Sequence, residues 1–275
     1  MNNAIVNTDA FFQEYTSPDA VLKYSKATAG FGINYLLDND YKRVYCEALE
    51  RLPEDAKRRG IRLLEFGCGA GMNLIHLVSL LKEKGIRLEK AIGTDFSPVL
   101  IDVARREANH ELTVDELPKV DFFNAKNESL VPDLASATGD ESLKNSFHFI
   151  FGVNTFRYCH RNQNSVACAR DIMELLAPRG VCVMIDMNQG FPAFRSALKN
   201  HFRVHKKEEC YIPTLDEYSE PFEKTGFNLL RRENFCWVPH SGGRLMCGTM
   251  TVLAPMLNLV AKSRAMRSLV VAQKP

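Results

Sequence analysis

The central stretch of this 275-residue chain reads Leu63-Leu64-Glu65-Phe66-Gly67-Cys68-Gly69-Ala70-Gly71-Met72-Asn73. Its apolar run meets an acidic residue and three alternating glycines, which predicts a buried strand, a tight turn and the start of a helix. Glycine accepts positive φ angles and has no Cβ, so a ligand can lie against the main-chain N–H groups of such a turn. The stretch favours a cofactor-binding loop over a plain strand-to-helix turn. Dinucleotide-binding loops need two residues before their last glycine, and Gly71 comes one residue too early for that pattern.

The residues after the glycines predict a complete β-α-β unit. A helix is expected over 73–84, where leucine and valine recur at helical spacing, and a strand is expected over 91–95. A parallel crossover is right-handed in almost every protein, so the Gly67 loop and Asp95 should meet at the carboxyl edge of the sheet. Asp95 can contact a ligand at this edge, and it can also cap the helix that follows it. The two roles are compatible.

The glycine stretch, together with a strand that ends at Asp95, resembles the cofactor motif of class I S-adenosylmethionine-dependent methyltransferases of the small-molecule type. The resemblance covers residues 60–190. It implies that the glycine loop lies along the methionine part of S-adenosyl-L-methionine and that Asp95 holds the ribose hydroxyls. The cofactor-binding residues expected around these strand ends are Glu65, Gly67, Cys68, Gly69, Gly71, Asn73, Asp95 and Phe96.

The third predicted strand, over 120–123, leads to the segment that contacts the adenine ring in members of the family. Members usually carry an Asp-x-x-x-Leu arrangement there, and counting back from Leu130 puts Lys126 at the acidic position. A lysine cannot accept the adenine N–H, so Asn127, Glu128 or a backbone carbonyl is expected to replace the acid. The adenine contact is therefore expected among residues 126–128.

The residues after the fourth predicted strand carry the candidate substrate contacts. Asn154 is expected to touch the cofactor, whereas Arg157, Tyr158, His160 and Arg161 are expected to face the substrate. His160 is the candidate base near neutral pH, with Tyr158 and Arg157 as further catalytic residues. Two arginines and a histidine suggest an acidic group on the substrate, because guanidinium pairs bidentately with carboxylate or phosphate. An exposed polar loop is the alternative.

The expected fold is a single α/β methyltransferase domain over 1–275, with a Rossmann-like, seven-stranded, mostly parallel sheet flanked by helices. The same resemblance implies that residues 1–58 form a helical N-terminal lid, in which Tyr15 or Tyr24 closes over the cofactor. An amphipathic packing helix is the alternative role for either tyrosine. Residues 59–190 form the cofactor-binding core. Residues 191–275 add substrate-side elements and the last strands, with an apolar insertion over 245–266 that is expected to pack in the core, line a pocket or make a dimer contact.

Composition narrows the class of partner. The chain has 35 Lys and Arg against 33 Asp and Glu and no long basic run, so nucleic acid is not expected as a partner. Eight cysteines without a C-x-x-C pair or zinc-ligand spacing indicate a reduced, cytoplasmic protein without a metal. The N-terminus lacks the features of a signal peptide, and the apolar insertion is interrupted by Pro255 and charged residues, so no membrane contact is expected.

The sequence thus predicts methyl transfer to an oxygen, nitrogen or carbon atom of a small metabolite, for which Arg157 and Arg161 suggest an acidic group. A homodimer is possible. An NAD(P)-dependent oxidoreductase using the same sheet edge and a catalytically silent methyltransferase-fold binding protein are the alternatives.

Overall fold

The computed structural model describes residues 15–17, 30–192, 212–239 and 242–275. Seven strands form one sheet: β1 (Ile61–Phe66), β2 (Leu88–Asp95), β3 (Val120–Asn124), β4 (Phe147–Val153), β5 (Leu176–Met187), β6 (Asn228–Phe235) and β7 (Arg267–Gln273). Their order across the sheet is β3-β2-β1-β4-β5-β7-β6. Strand β7 runs antiparallel to β5 and β6, whereas the pairs from β3 to β5 are parallel. This is the mostly parallel seven-stranded sheet that the sequence predicts.

Helices cover both faces of the sheet, as a mainly parallel sheet requires. They are α1 (Gly30–Tyr35), α2 (Lys42–Glu50), α3 (Glu54–Arg59), α4 (Met72–Glu83), α5 (Pro98–Glu111), α6 (Leu130–Thr138), α7 (Phe156–Arg161), α8 (Ser165–Leu175), α9 (Leu215–Lys224) and α10 (Arg244–Ala261). A π-helical segment over Leu36–Tyr41 joins α1 to α2. The helices expected over 20–29 and 191–202 lie wholly or mostly outside the described residues.

The core has two layers, one on each face of the sheet. Successive residues of a strand point to opposite faces, so Phe149 and Phe151 of β4 pack against α2 and α4 while Ile150 packs against α8 and α9. This alternation leaves the ends of the strands free to carry polar groups. The functional candidates therefore collect at the carboxyl edge.

Two elements differ from the sequence prediction. The sequence Pro178-Arg179-Gly180 is typical of a turn before a fifth strand, yet β5 begins at Leu176 and includes these residues. A register shift between Phe147 and Phe149 keeps the strand paired with β4 on both sides of them. The residues after β4, expected as a loop, form the short helix α7.

The apolar insertion forms helix α10, and the expectation that it packs in the core is wrong. Among its described residues only Cys247 is buried, and large apolar side chains of the helix face solvent. By length and composition alone, the segment Arg244–Arg264 is sufficient to cross a membrane. A core helix would bury most of such a segment, so its exposure needs a separate explanation.

Candidate active site

The glycine loop joins β1 to α4 in the conformation that its three glycines permit. Gly67, Gly69 and Gly71 have φ angles of 64°, 53° and 80°, which lie in the left-handed region. A Cβ on Gly67 would stand 2.0 Å from Thr155 Oγ1, and one on Gly71 would stand 2.9 Å from the Phe122 ring. A Cβ on Gly69 would meet no atom of the described residues within 4 Å. Packing thus requires the outer two glycines, whereas Gly69 borders open space that a ligand can enter.

Asp95 lies at the end of β2 and points at this loop. Its Oδ2 accepts the Gly69 N–H and its Oδ1 accepts the Ser97 N–H, each at 2.9 Å. Burial raises the pKa of Asp95 to about 6, although both N–H bonds oppose that shift. Each carboxylate oxygen has a second lone pair for a hydroxyl donor. Ser97, whose Oγ accepts the Leu100 N–H, is the N-cap of α5, so Asp95 is not the capping residue.

Glu65 is turned toward the start of α4. Its Oε2 accepts the Leu74 N–H at 2.9 Å, its side chain also bonds the side chain of Asn73, and burial raises the pKa of Glu65 well above its usual value. Cys68, next in the loop, is buried, and burial raises the pKa of its thiol. The cofactor roles predicted for Glu65, Cys68 and Asn73 stay predictions, since these side chains also have a structural role in holding the loop.

The three adenine candidates differ in where their side chains lie. Asn127 Nδ2 donates to Thr155 Oγ1 at 2.6 Å, directly beneath Gly67. Glu128 instead accepts from Asn162 at 2.6 Å, and the Lys126 side chain is exposed. Of residues 126–128, only Asn127 is therefore bonded to the element that supports the glycine loop.

Asn124 is a candidate that sequence reasoning missed. It ends β3 directly opposite Asp95 in the parallel pairing, and its Nδ2 donates to the Asp95 carbonyl at 3.0 Å. Its side-chain oxygen is an acceptor of the kind that an adenine amino group needs. Its position could have indicated this role, because Asn124 ends the third strand just as Asp95 ends the second.

A hydrogen-bonded chain of side chains crosses the carboxyl edge from β2 to β5. Tyr15 donates or accepts a 2.6 Å bond with the Tyr158 hydroxyl, and Arg157 Nη2 donates to that same hydroxyl at 2.6 Å. Arg157 Nη1 and backbone N–H reach the two carboxylate oxygens of Asp186 at 3.3 and 3.1 Å. At the other end the Tyr15 carbonyl accepts from Ser97 Oγ at 2.6 Å.

Tyr15 thus bridges the ends of β2 and β4, in the place expected for the lid. Its ring also meets the half-buried Phe96 edge-on, with centroids 5.7 Å apart. Tyr24, the other lid candidate and a predicted cofactor contact, lies outside the described residues. The lid role of Tyr15 stays a prediction.

A second buried arginine, Arg267, joins this edge from β7. It is 2% exposed, and its Nη1 donates to Asn154 Oδ1 at 2.6 Å. Asn154 has a φ of 58°, a left-handed conformation that asparagine tolerates better than most residues. The antiparallel return of β7 brings Arg267 here from 113 residues along the chain, which explains why the sequence did not reveal it.

The His160 ring packs against the aromatic side chains of α7 and α9. Phe156 and His160 are one helical turn apart on one face of α7, and the His160 ring packs 5.3 Å from Phe156 and 6.0 Å from Tyr218 between centroids. Burial lowers the pKa of His160, which leaves the imidazole neutral near pH 7. The structure brings Arg157 and Tyr158 together but places His160 against α9, so its role as a base stays a prediction.

Asp186 lies at the carboxyl end of β5, and Asn188 directly follows the strand. Asp186 is paired with Arg157, while Asn188 Nδ2 donates to the carbonyls of Ser263 and Ala265 at 2.9 and 2.6 Å. Both side chains thus have structural partners.

Comparison with known proteins gives a family. A family profile described as a methyltransferase domain matches residues 37–232. The citrinin polyketide synthases of Monascus ruber and Monascus purpureus are 26% identical over 146 residues, or 53% of this chain and 5% of each synthase. The chain therefore spans about one twentieth of the length of these curated relatives.

Solved structures share the fold. The citrinin polyketide synthase CMeT domain has a TM-score of 0.59 at 18% identity, with 96% of this chain and 60% of that chain covered. The CurJ carbon methyltransferase has a TM-score of 0.58 at 14% identity, with 95% and 60% covered.

The family profile covers more than half of the chain and includes the glycine loop, Asp95 and α7. An NAD(P)-dependent oxidoreductase does not fit this family, which uses S-adenosylmethionine. The chain belongs to the methyltransferase-domain family, and its fold is that of class I S-adenosylmethionine-dependent methyltransferases.

Proposed function

We propose that this enzyme methylates a small, acidic metabolite at the carboxyl edge of its sheet, with Tyr158 and Arg157 at the reacting group. The observation that carries the proposal is the continuous bonding from Asp95 and Ser97 through Tyr15 to Tyr158 and Arg157. It links the predicted ribose acceptor to the 2.6 Å contact between Arg157 Nη2 and the Tyr158 hydroxyl. Cofactor and substrate groups would meet between these two ends.

The residues present fit the cofactor that the family uses. Gly69 borders open space, so the nucleoside can approach the main chain of the loop without displacing a side chain of the described residues. The second lone pairs of the Asp95 carboxylate accept the ribose hydroxyls, and the side-chain oxygen of Asn124 or Asn127 accepts the adenine amino group. When bound, S-adenosylmethionine supplies a methyl group that is already activated by a sulfonium centre.

An acidic group on the substrate matches the charges at this edge. Arg157 and Arg267 are 4% and 2% exposed, and both lie near the ends of β4 and β5. Buried guanidinium groups recognise planar carboxylates bidentately, and they do so more strongly where water is excluded. The Arg157 guanidinium is oriented by its Nη1 bond to Asp186 Oδ1 and its Nη2 bond to the Tyr158 hydroxyl.

Tyr158 is the group best placed to handle a proton. Its hydroxyl lies 2.6 Å from both Arg157 Nη2 and the Tyr15 hydroxyl. Because these two partners hold the hydroxyl in place, Tyr158 is the side chain that we assign to the proton of the substrate nucleophile. His160 instead packs against aromatic rings.

Among oxygen, nitrogen and carbon acceptors, we favour carbon. Two relatives of similar fold are a polyketide synthase CMeT domain and a carbon methyltransferase. A carbon acid next to a carbonyl must lose a proton and place negative charge on oxygen, and the donors Arg157 and Tyr158 are suited to hold that charge.

The test is a release assay for S-adenosylhomocysteine with matched pairs of small β-keto acids and their methyl esters. We expect turnover with the free acids and at least tenfold lower kcat/KM with the esters, because the esters lack the charge that Arg157 and Arg267 recognise. Equal kcat/KM for acids and esters would contradict the acidic-substrate proposal. Arg157→Lys keeps a charge but not the planar fork, so a raised KM with a smaller change in kcat is expected for this variant.

A further inference from the structure

Helix α10 presents a continuous apolar face to solvent. Leu245 and Leu259 are each 87% exposed, Val252 is 78% exposed and Val260 is 76% exposed. We define the apolar face by the exposed side chains Leu245, Met246, Val252, Leu253, Met256, Leu259 and Val260. No Asp, Glu, Lys, Arg or His lies between Leu245 and Ala261. A contiguous patch of this kind on a soluble protein marks an interaction surface.

The opposite side of α10 is fastened to the protein. Thr251 Oγ1 and the Tyr35 hydroxyl are 2.8 Å apart, and Trp237 Nε1 donates to Asn258 Oδ1 at 2.8 Å. Cys247 is 1% exposed. The chain enters α10 shortly after edge strand β6 and leaves it into β7. The helix is therefore held lengthwise against the domain, and a perpendicular, membrane-spanning arrangement would break these contacts.

Charge indicates what covers the apolar face. Residues 234–275 contain no Asp or Glu, while Arg244 begins the helix and Lys262 and Arg264 follow its end. Lys262 pairs with Glu233, the acid nearest to the helix end in the chain. The face is thus uncharged along its length and has an arginine near each end, Arg244 and Arg264, which complements an anionic surface.

A second copy of the chain is less well matched. Two α10 helices packed face to face and antiparallel would place Arg244 of one copy beside Arg264 of the other. A parallel arrangement would place each arginine beside its own counterpart. Either way like charges meet, and the segment supplies no acid to pair with them.

We propose that α10 docks the enzyme on an anionic phospholipid bilayer, with the helix in the membrane plane and the apolar face in the interface. At 1.5 Å per residue, its 18 residues extend about 27 Å along the surface. The seven apolar side chains enter the boundary between headgroups and acyl chains, and the exposed Arg264 contacts lipid phosphates. The sequence-based expectation of no membrane contact rested on Pro255 and the charges after it, which oppose spanning but not lying flat.

The test is flotation of the full-length protein with phosphatidylcholine vesicles that contain or lack phosphatidylglycerol. We expect the protein to float with the anionic vesicles and to bind them at least tenfold less tightly in the Leu245→Gln/Leu259→Gln variant. Val114→Gln is the matched control, because Val114 is 86% exposed and lies between α5 and β3. It should float as the unchanged protein does. Arg264→Gln should lower binding to anionic vesicles and leave binding to neutral ones unaltered.

Trp237, the sole tryptophan, reports whether α10 stays packed in each variant, since it is bonded to Asn258. If the Trp237 emission of the double variant is unchanged, α10 is still packed, and the lost vesicle binding results from the altered apolar face. The proposal is overturned if the unchanged protein fails to float, or if the double variant floats equally well. It is also overturned if light scattering shows a dimer that Leu245→Gln/Leu259→Gln converts to monomer, because a second copy then covers the face. Vesicle binding requires no methyl transfer, so this test is independent of the proposed substrate.

Discussion

The Asp95 carboxylate accepts the Gly69 N–H at 2.9 Å through Oδ2, which joins the end of β2 directly to the loop after β1. The Ser97 N–H holds the other oxygen at the same distance. Both acceptors are thus oriented by backbone groups before a ligand arrives. Pre-organised acceptors lower the entropy cost of binding, which suits Asp95 to the ribose contact proposed for it.

The raised pKa of Asp95, about 6, predicts a pH-dependent affinity for S-adenosylhomocysteine. The carboxylate form accepts two hydroxyl donors, whereas the protonated form has lost its charge. Affinity should therefore be constant well above pH 6 and fall by about tenfold per pH unit below it. Titration calorimetry across this range measures the effect. Asp95→Asn should bind weakly with no such pH dependence, and a flat profile for the unchanged protein would refute the assignment.

The outer and middle glycines of the loop should respond differently to alanine. Gly67→Ala places a Cβ 2.0 Å from Thr155 Oγ1, and the residue keeps a φ of 64°. The left-handed conformation alone costs about 1–2 kcal/mol, and the clash should add to this loss of stability. Gly69→Ala bears only that conformational cost, because its Cβ meets no described atom. Thermal unfolding should separate the two variants. Gly69→Ala should stay folded but lose affinity for S-adenosylhomocysteine, and equal unfolding midpoints would contradict this division.

The buried pair of Arg157 and Asp186 should be essential for stability. Their side chains are 4% and 0% exposed, so Asp186→Asn leaves a buried cation without its carboxylate. We expect a loss of about 3–5 kcal/mol in the free energy of unfolding, measured by urea denaturation. Asp55→Asn, which breaks an exposed pair with Arg59, is the control and should change little. A similarly small effect for Asp186→Asn would show that the pair is not desolvated.

Tyr158→Phe tests the proposed proton acceptor. The ring and its packing remain, but the hydroxyl between Arg157 and Tyr15 is removed. We expect kcat to fall by about 100-fold with unchanged affinity for S-adenosylhomocysteine. His160→Ala should lower kcat less, because the imidazole packs against Phe156 and Tyr218. A larger loss in His160→Ala than in Tyr158→Phe would return the role of base to His160.

The features that the sequence predicted correctly are those that residues adjacent in the chain determine. The glycine loop and the strand ending at Asp95 depend on local patterns, and a right-handed crossover then brings them together without further information. The family signature added the cofactor. The same reasoning placed the polar residues of α7 directly after the fourth strand, but it predicted a loop there instead of a helix.

What the sequence did not predict depends on distant contacts or on side-chain direction. Arg267 reaches Asn154 only because β7 pairs antiparallel with β5. His160 and Tyr158 are two residues apart, yet the helical turn of α7 sends them to different surroundings. For α10, an apolar composition suits both a core helix and an interface helix, and only the packing of neighbouring elements distinguishes them.

The central claim is that the Gly67–Gly71 loop and Asp95 together hold S-adenosylmethionine by its sugar. Titration calorimetry with S-adenosylhomocysteine on the unchanged protein and on Asp95→Ala tests it most directly. We predict binding to the unchanged protein and a loss of about 1–3 kcal/mol in Asp95→Ala, the loss expected when hydroxyls lose a charged acceptor. An identical dissociation constant for both proteins would contradict the claim.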